Sequence, residues 1–273
     1  MKSPRWLLET EVFQEDSKPF VEALQKLGVE HQVIQFGKSY EDYIPDFTGA
    51  FPVVFHGSFQ AAFEFRRKAN WIPGVYCNLP EFECLYYYPR FGRHLANSEY
   101  VMLPFGELNR RKDWLLKNVG QDSKIFLRPS SGFKTFTGKI VSVNTWDKDI
   151  KLLGFYDVDP EALVVACPPL EIEREWRTVV VENKIVAASQ YKLGEDNTRK
   201  QDVPAEVLKY GQDVLDSIKY APDPAWTLDI CETPNGLKVL ETGSFSCAGL
   251  YACEPEPIIQ AVNEVAIKDW KDA

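Results

Sequence analysis

The stretch Trp226-Thr-Leu-Asp-Ile-Cys-Glu-Thr-Pro-Asn-Gly-Leu-Lys-Val-Leu-Glu241 sets two alternating runs on either side of Pro234-Asn235-Gly236. Such a pattern dictates a tight β-hairpin, because glycine supplies the positive φ that the turn demands. With those three residues as the loop, Thr233 faces Leu237, and counting back along both strands sets Asp229 opposite Glu241. Leu228, Ile230 and Leu240 then point to the other face, where a core can take them. Carboxylates directly opposite one another repel. The pair therefore reads either as a divalent-cation site or as the solvated, acidic face of an ordinary antiparallel sheet.

A chain of 273 residues exceeds the usual size of one domain, so two lobes with a cleft between them are expected. Charged residues at 26% and hydrophobic ones at 45% suit a soluble globular protein. The net charge of -9 argues against holding nucleic acid by a general positive field. Six cysteines show no C-x-x-C pairing and no histidine cluster, so neither zinc nor redox-disulfide chemistry is signalled. No window approaches eighteen consecutive apolar residues, and the opening residues are too briefly apolar for a signal peptide. A cytoplasmic protein in a reducing compartment, without membrane partners, is the expectation.

Residues 1–120 alternate strand and helix signals. Strand-like 6–9, an amphipathic 18–27 closing on Gly28, and strand-like 31–36 make a β-α-β opening. A strand at 52–56, a helix at 59–68 and a strand at 74–77 extend it into a small parallel sheet flanked by helices. Residues 86–95 are aromatic and read as irregular core, and 108–119 read as a helix ending at Gly120. From 124 onward hairpins dominate: strands at 124–128 and 134–141, 163–167, then 176–181 with 185–191 around Asn183-Lys184. Helices follow at 204–219 and 255–270.

Two segments join the carboxylate hairpin as candidates for chemistry. Arg128-Pro-Ser-Ser-Gly-Phe-Lys134 ends one strand in a guanidinium and opens the next with an ammonium, so both could grip phosphate while the Ser-Ser-Gly backbone folds over it. An exposed basic hairpin is the plainer alternative, and the glycine spacing is not that of a Walker A loop. In the second segment, Glu175-Trp-Arg177 pairs with Gln190-Tyr191-Lys192. A two-residue turn at Asn183-Lys184 sets Glu175 opposite Lys192 and Arg177 opposite Gln190. Three isolated histidines and no partnered serine or cysteine leave a hydrolase triad unsupported.

In order, Phe-Leu-Arg128-Pro with Lys134-x-Phe-x-Gly, Glu175-Trp-Arg177 before a valine-rich hairpin, Leu-Asp229-Ile, Val-Leu-Glu241 and the tail Ser-Phe-Ser-Cys-Ala-Gly-Leu-Tyr251 resemble the R2K clade of the ATP-grasp superfamily. That clade takes its name from an arginine and two lysines. The resemblance implies a mixed α/β and α+β chain, with a small parallel pre-ATP-grasp domain over 1–120 and an ATP-grasp domain over 121–273. Within the latter, subdomains 121–167 and 168–273 would grip ATP, the larger one carrying the metal site. It further implies Mg2+ bridging ATP phosphates to Asp229 and Glu241, and phosphate contacts from Arg128 and Lys134. Cys167, Pro169, Leu170 and Glu171 would form an adenine hinge, Glu171 or Glu173 would take the ribose, and Arg177 and Lys192 would face the γ-phosphate and an acyl-phosphate intermediate.

The activity implied is ATP-dependent joining of a small-molecule or peptide carboxylate to an amine, which needs no protein nucleophile. A degenerate nucleotide-binding domain and a kinase-like phosphotransferase are the rivals. Gly57-Ser58, Cys77-Asn78 and 244–251 are the candidate substrate-selecting loops. Two positions depart from the family pattern. Gly243 stands where Glu-x-Asn is usual, so Ser244 or water would have to replace an oxygen ligand, and Tyr191 with Lys192 stands where an arginine commonly ends the strand.

Overall fold

A computed structural model of the chain describes residues 3–35, 51–133 and 135–273. In chain order the elements are β1 (Arg5–Glu9), α1 (Gln14–Lys26), β2 (His31–Ile34), β3 (Val53–His56), α2 (Phe59–Lys68), β4 (Pro73–Gly74), α3 (Cys84–Phe91), β5 (Val101–Pro104), α4 (Leu108–Asn118) and β6 (Lys124–Pro129). They continue with β7 (Lys139–Ser142), α5 (Trp146–Leu153), β8 (Leu163–Cys167), β9 (Arg174–Val181), β10 (Lys184–Leu193), β11 (Asp196–Lys200), α6 (Ala205–Ile218), β12 (Ala225–Thr233), β13 (Gly236–Ser244) and α7 (Pro255–Asp272).

The chain divides into two compact units. The first gathers 1–78, 173–232 and 241–273; the second holds 79–172 and 233–240. The boundary expected at Gly120 thus falls inside the second unit.

The first unit carries a parallel sheet in the order β2-β1-β3-β4 and an antiparallel one in the order β11-β10-β9-β12-β13, whose last strand lends residues 236–240 to the second unit. Trp6, Leu7 and Leu8 on β1 and Val53, Val54 and Phe55 on β3 are buried in succession. Such runs are what a parallel strand covered on both faces requires. One continuous core joins Trp6, Phe20, Leu24 and Val54 to Val179, Ala225, Phe245, Ile258 and Val262. Ser58 caps α2 by accepting the Ala61 N–H at 3.1 Å, and Gly57 just before it leaves no room for a side chain. The second unit is built on the antiparallel sheet β5-β8-β6-β7, with Leu108, Leu115, Trp146, Ile150 and Leu153 packed on Ile125, Leu127 and Val164. Among the described residues no helix is long and apolar enough to cross a membrane.

Several expectations need correction. Residues 84–91 form a helix rather than irregular core: Cys84, Tyr87, Tyr88 and Phe91 are buried at helical spacing, and aromatic bulk with Pro89 masked that period. The strand after the Ser-Ser-Gly loop begins at Lys139, not at 134, and Lys134 itself lies outside the described residues, as does Phe36. The strand expected at 74–77 is only Pro73–Gly74. The β9–β10 turn is Glu182-Asn183, both at positive φ (46° and 65°), instead of Asn183-Lys184. Two register shifts then follow, so Arg177 pairs with Ser189 rather than Gln190, while Glu175 still meets Lys192. Tyr191 is the residue left over at the second shift. Strands β5 and β11 and helix α5 had no sequence signal strong enough to name them.

Candidate functional site

In the first unit the register of β9 against β12 sets Arg177 beside Asp229. The guanidinium forks onto the carboxylate, Nε to Oδ1 at 2.8 Å and Nη2 to Oδ2 at 2.7 Å, and its Nη1 donates to the Gly249 carbonyl at 2.7 Å. Asp229 is 1% exposed and Arg177 8%. Burial works against the Arg177 charge, but the adjacent carboxylate outweighs it and holds the guanidinium protonated well above its ordinary range.

The bulge on β10 re-aims Tyr191 across this pair, as bulges beside functional sites commonly do. Its hydroxyl donates to Glu175 Oε2 at 2.5 Å and lies 3.2 Å from Asp229 Oδ2. Its ring stacks on Tyr251 with centroids 4.7 Å apart and planes at 9°, and the Arg177 guanidinium sits 5.1 Å from the Tyr251 centroid. Burial, then the charges of Asp229, Glu175 and Glu241, push the Tyr191 phenol far above its ordinary range, so it remains a donor. Lys192 Nζ lies 3.3 Å from Glu175 Oε1. The structure therefore brings Arg177, Lys192, Asp229 and Glu241 into one cluster and adds Glu175 and Tyr191. Three carboxylates, Glu175, Asp229 and Glu241, meet two cations there, Arg177 and Lys192.

Gly236 takes the expected positive φ, 91°. A Cβ built on Gly243 would lie 2.8 Å from Thr227 Oγ1, so these two are cross-strand neighbours on one face. Two residues along each strand from them, Asp229 opposes Glu241, as the turn predicted. Ser244 does not take the place of the missing Asn: strand alternation turns it away, beside the Cys77 and Cys247 thiols. The Gly57-Ser58 loop and Tyr76, just before the Cys77-Asn78 loop, both bond to Ser246 in the third candidate loop. Gly57 N–H donates to its carbonyl at 2.8 Å, Tyr76 N–H to its hydroxyl at 2.9 Å, and its own N–H to the Tyr76 carbonyl at 3.1 Å. Asp16 accepts from Leu250 N–H at 2.7 Å and Tyr251 N–H at 3.0 Å, fixing the end of the same segment.

In the second unit Arg128 on β6 lies across from Val165 on β8, next to Cys167 and Tyr88. Burial pushes the Cys167 thiol up to about 12, against the pull of Arg128. Pro168, Pro169, Leu170 and Glu171 line one side of a cavity of about 820 Å³ that Glu99, Asp122, Lys124 and Lys238 also border. Neither Arg128 nor Cys167 reaches it. Glu173 belongs to the first unit, where its N–H donates to the Glu232 carbonyl and its own carbonyl accepts from Gly194. No group of three or more His, Cys, Asp or Glu able to hold a metal occurs among the described residues. Sequence reasoning placed Tyr251 only within the candidate loop 244–251 and gave Thr227 no role. The signal for Thr227 was its place two residues before Asp229 on the same face.

A family model described as an ATP-grasp domain, R2K clade family 3, matches residues 107–262, more than half of the chain. Among solved structures, a D-cycloserine synthetase shares 13% identity over 96% of this chain and 99% of that chain, with a TM-score of 0.65. A D-alanine–D-alanine ligase from Bacillus anthracis shares 12% over 99% of both, at 0.63. An ATP-grasp ligase, PsnB, complexed with a minimal precursor shares 12% over 96% and 99%, at 0.58. These likenesses establish the fold. Comparison with curated proteins finds no match.

Proposed function

Since the chain belongs to R2K clade family 3 of the ATP-grasp domains, we propose that it is an ATP-dependent ligase joining a carboxylate to an amine. The similar structures support this chemistry: one is a D-alanine–D-alanine ligase, and PsnB was captured with minimal precursor, Mg and ADP. The observation that carries the reading is the cluster of buried Arg177 and Asp229 with half-buried Tyr191 and Glu241, whose excess negative charge suits a magnesium ion. Bound Mg-ATP would supply the phosphoryl group that activates the carboxylate.

The chain's own residues have distinct tasks. Asp229 and Glu241 would hold the ion, and Arg177, fixed by Asp229 and the Gly249 carbonyl, presents a cation that cannot rotate away. Lys192, held by Glu175, is the more mobile charge for the transferring group. Arg128 and Lys134 would bind phosphate oxygens, and Cys167 to Glu171 would seat the adenine, with Glu171 or Glu173 on the ribose. The convergence on Ser246 would choose the acid and amine, whether amino acids or peptide ends.

One observation favours a second reading, nucleotide binding without turnover: Asp229 already engages Arg177 with both oxygens. Calorimetric titration of ATP with and without Mg2+, on wild type and Glu241→Gln, tests the site. Magnesium-dependent binding lost in the variant is expected, and equal binding by both proteins would remove Glu241 from the ligand set. ADP release on adding amino acids or short peptides then separates the ligase from the silent domain.

A further inference from the structure

Thr227 is 1% exposed, and its hydroxyl has no hydrogen-bond partner among the described residues. A buried hydroxyl left unpaired is unfavourable, and in native structures it commonly marks a water or ion. The residues directly opposite offer nothing polar: Thr227 pairs with Val179 on β9, itself fully buried, and faces Gly243 on β13. A Cβ at Gly243 would come within 2.8 Å of Thr227 Oγ1, so the hydroxyl takes up space that a side chain at 243 would need. The adjoining row on the same face is Arg177, Asp229 and Glu241. An unpaired oxygen, a neighbour without a side chain and two facing carboxylates are thus contiguous on one surface of the sheet.

We propose that Thr227 Oγ1 belongs to the ligand set of an Mg2+ ion held by Asp229 and Glu241, supplying a third protein oxygen beside Gly243. The inference rests on the reading of this cluster as a Mg-ATP site. Mg2+ demands a full shell of oxygens, and a neutral hydroxyl adds one without further negative charge to a cluster already carrying Glu175, Asp229 and Glu241. Binding the ion would also satisfy an oxygen that the protein itself leaves unpaired.

Mn2+ in place of Mg2+ gives a direct readout, free ion being counted by electron paramagnetic resonance in the presence of ATP. Wild type, Thr227→Val, Thr227→Ser and Glu241→Gln would be compared, with a melting curve of each in the absence of metal. Thr227→Val keeps the shape and removes the oxygen. It is expected to melt no lower than wild type yet bind Mn2+ about tenfold or more weakly, with Thr227→Ser restoring most of the affinity. Wild-type affinity in Thr227→Val, with loss in Glu241→Gln, would overturn the role of Thr227 and leave the carboxylate site standing. No loss in either variant would remove the metal reading altogether. Loss in Thr227→Val that serine does not restore would reduce Thr227 to a packing role and equally overturn the proposal.

Discussion

Arg177 is the residue on which the cluster turns, because it alone bonds Asp229 twice, the Gly249 carbonyl once, and lies against the Tyr191 and Tyr251 rings. Lysine would keep the charge but lose the planar fork. Arg177→Lys is therefore expected to lower stability by about 2 kcal/mol, with urea unfolding as the measure. Tyr191→Phe tests a different term. It preserves the stack on Tyr251 but leaves Glu175 and Asp229 one donor short, so a loss of about 1 kcal/mol is expected in the same unfolding experiment. Stability equal to wild type would show that the 2.5 Å contact to Glu175 contributes nothing net. At this scale Asp229 and Glu241 were legible, since a turn of known length and a period of two fix which residues face each other. The aim of Tyr191 was not, because it depends on a bulge that no local residue announces.

Elements were legible where one local rule decided them. Helix α2 was read to the residue, since an apolar period follows a serine that can cap it. Ser58→Ala removes the acceptor for Ala61 N–H and should cost about 1 kcal/mol, measured as a shift in the urea midpoint. Gly57→Ala should cost more. The added methyl would meet Glu9 Cβ at 2.5 Å and Phe55 Cζ at 2.7 Å, and both are packed inside the sheet. Elements decided by tertiary packing were missed: α3 by its aromatic bulk and proline, and β11 because its exposed, charged residues, Asp196–Lys200, pair only through β10. The β9–β10 register failed for a related reason, as two bulges shift it between the turn and Glu175.

Across the whole molecule, buried His56 and half-buried Asp223 give opposing pH dependences. Burial lowers His56 to about 4 from an ordinary 6.5, within a cage of Phe13, Phe20 and Phe245. Below pH 6.5 the unfolded chain takes up a proton that the folded one refuses, so stability is lost on acidification, by about 3 kcal/mol near pH 4. Burial instead raises Asp223 from 3.8 to about 7. The folded chain keeps that proton where the unfolded chain has released it, so this contribution is lost as pH rises from 3.8 through 7. Asp223→Asn retains an acceptor for the Asn78 N–H, and its melting temperature relative to wild type should climb with pH over that interval. A constant difference would place Asp223 at its ordinary value.

The assembly of the first unit from three stretches of chain carries a stronger consequence. The expected ATP-grasp domain, 121–273, contains the whole carboxylate cluster, yet its core residues Val179, Ala225, Phe245 and Ile258 pack on Trp6, Phe20, Leu24 and Val54. Polar ties follow the same route: Trp6 Nε1 donates to Asn263 Oδ1 at 2.8 Å, and Gly57 and Tyr76 hold Ser246. Composition and periodicity gave no hint of this, because each stretch alternates helix and strand in its own way and only the folded chain shows them sharing one core. A fragment comprising 121–273 would expose that apolar face to water, and the loss of several large side chains from a core exceeds the margin by which domains are stable. The fragment is expected to bind 1-anilinonaphthalene-8-sulfonate and to melt without a cooperative transition, whereas the full chain melts cooperatively. A fragment that unfolds in one sharp step would show that residues 1–78 merely cover the unit and do not complete it.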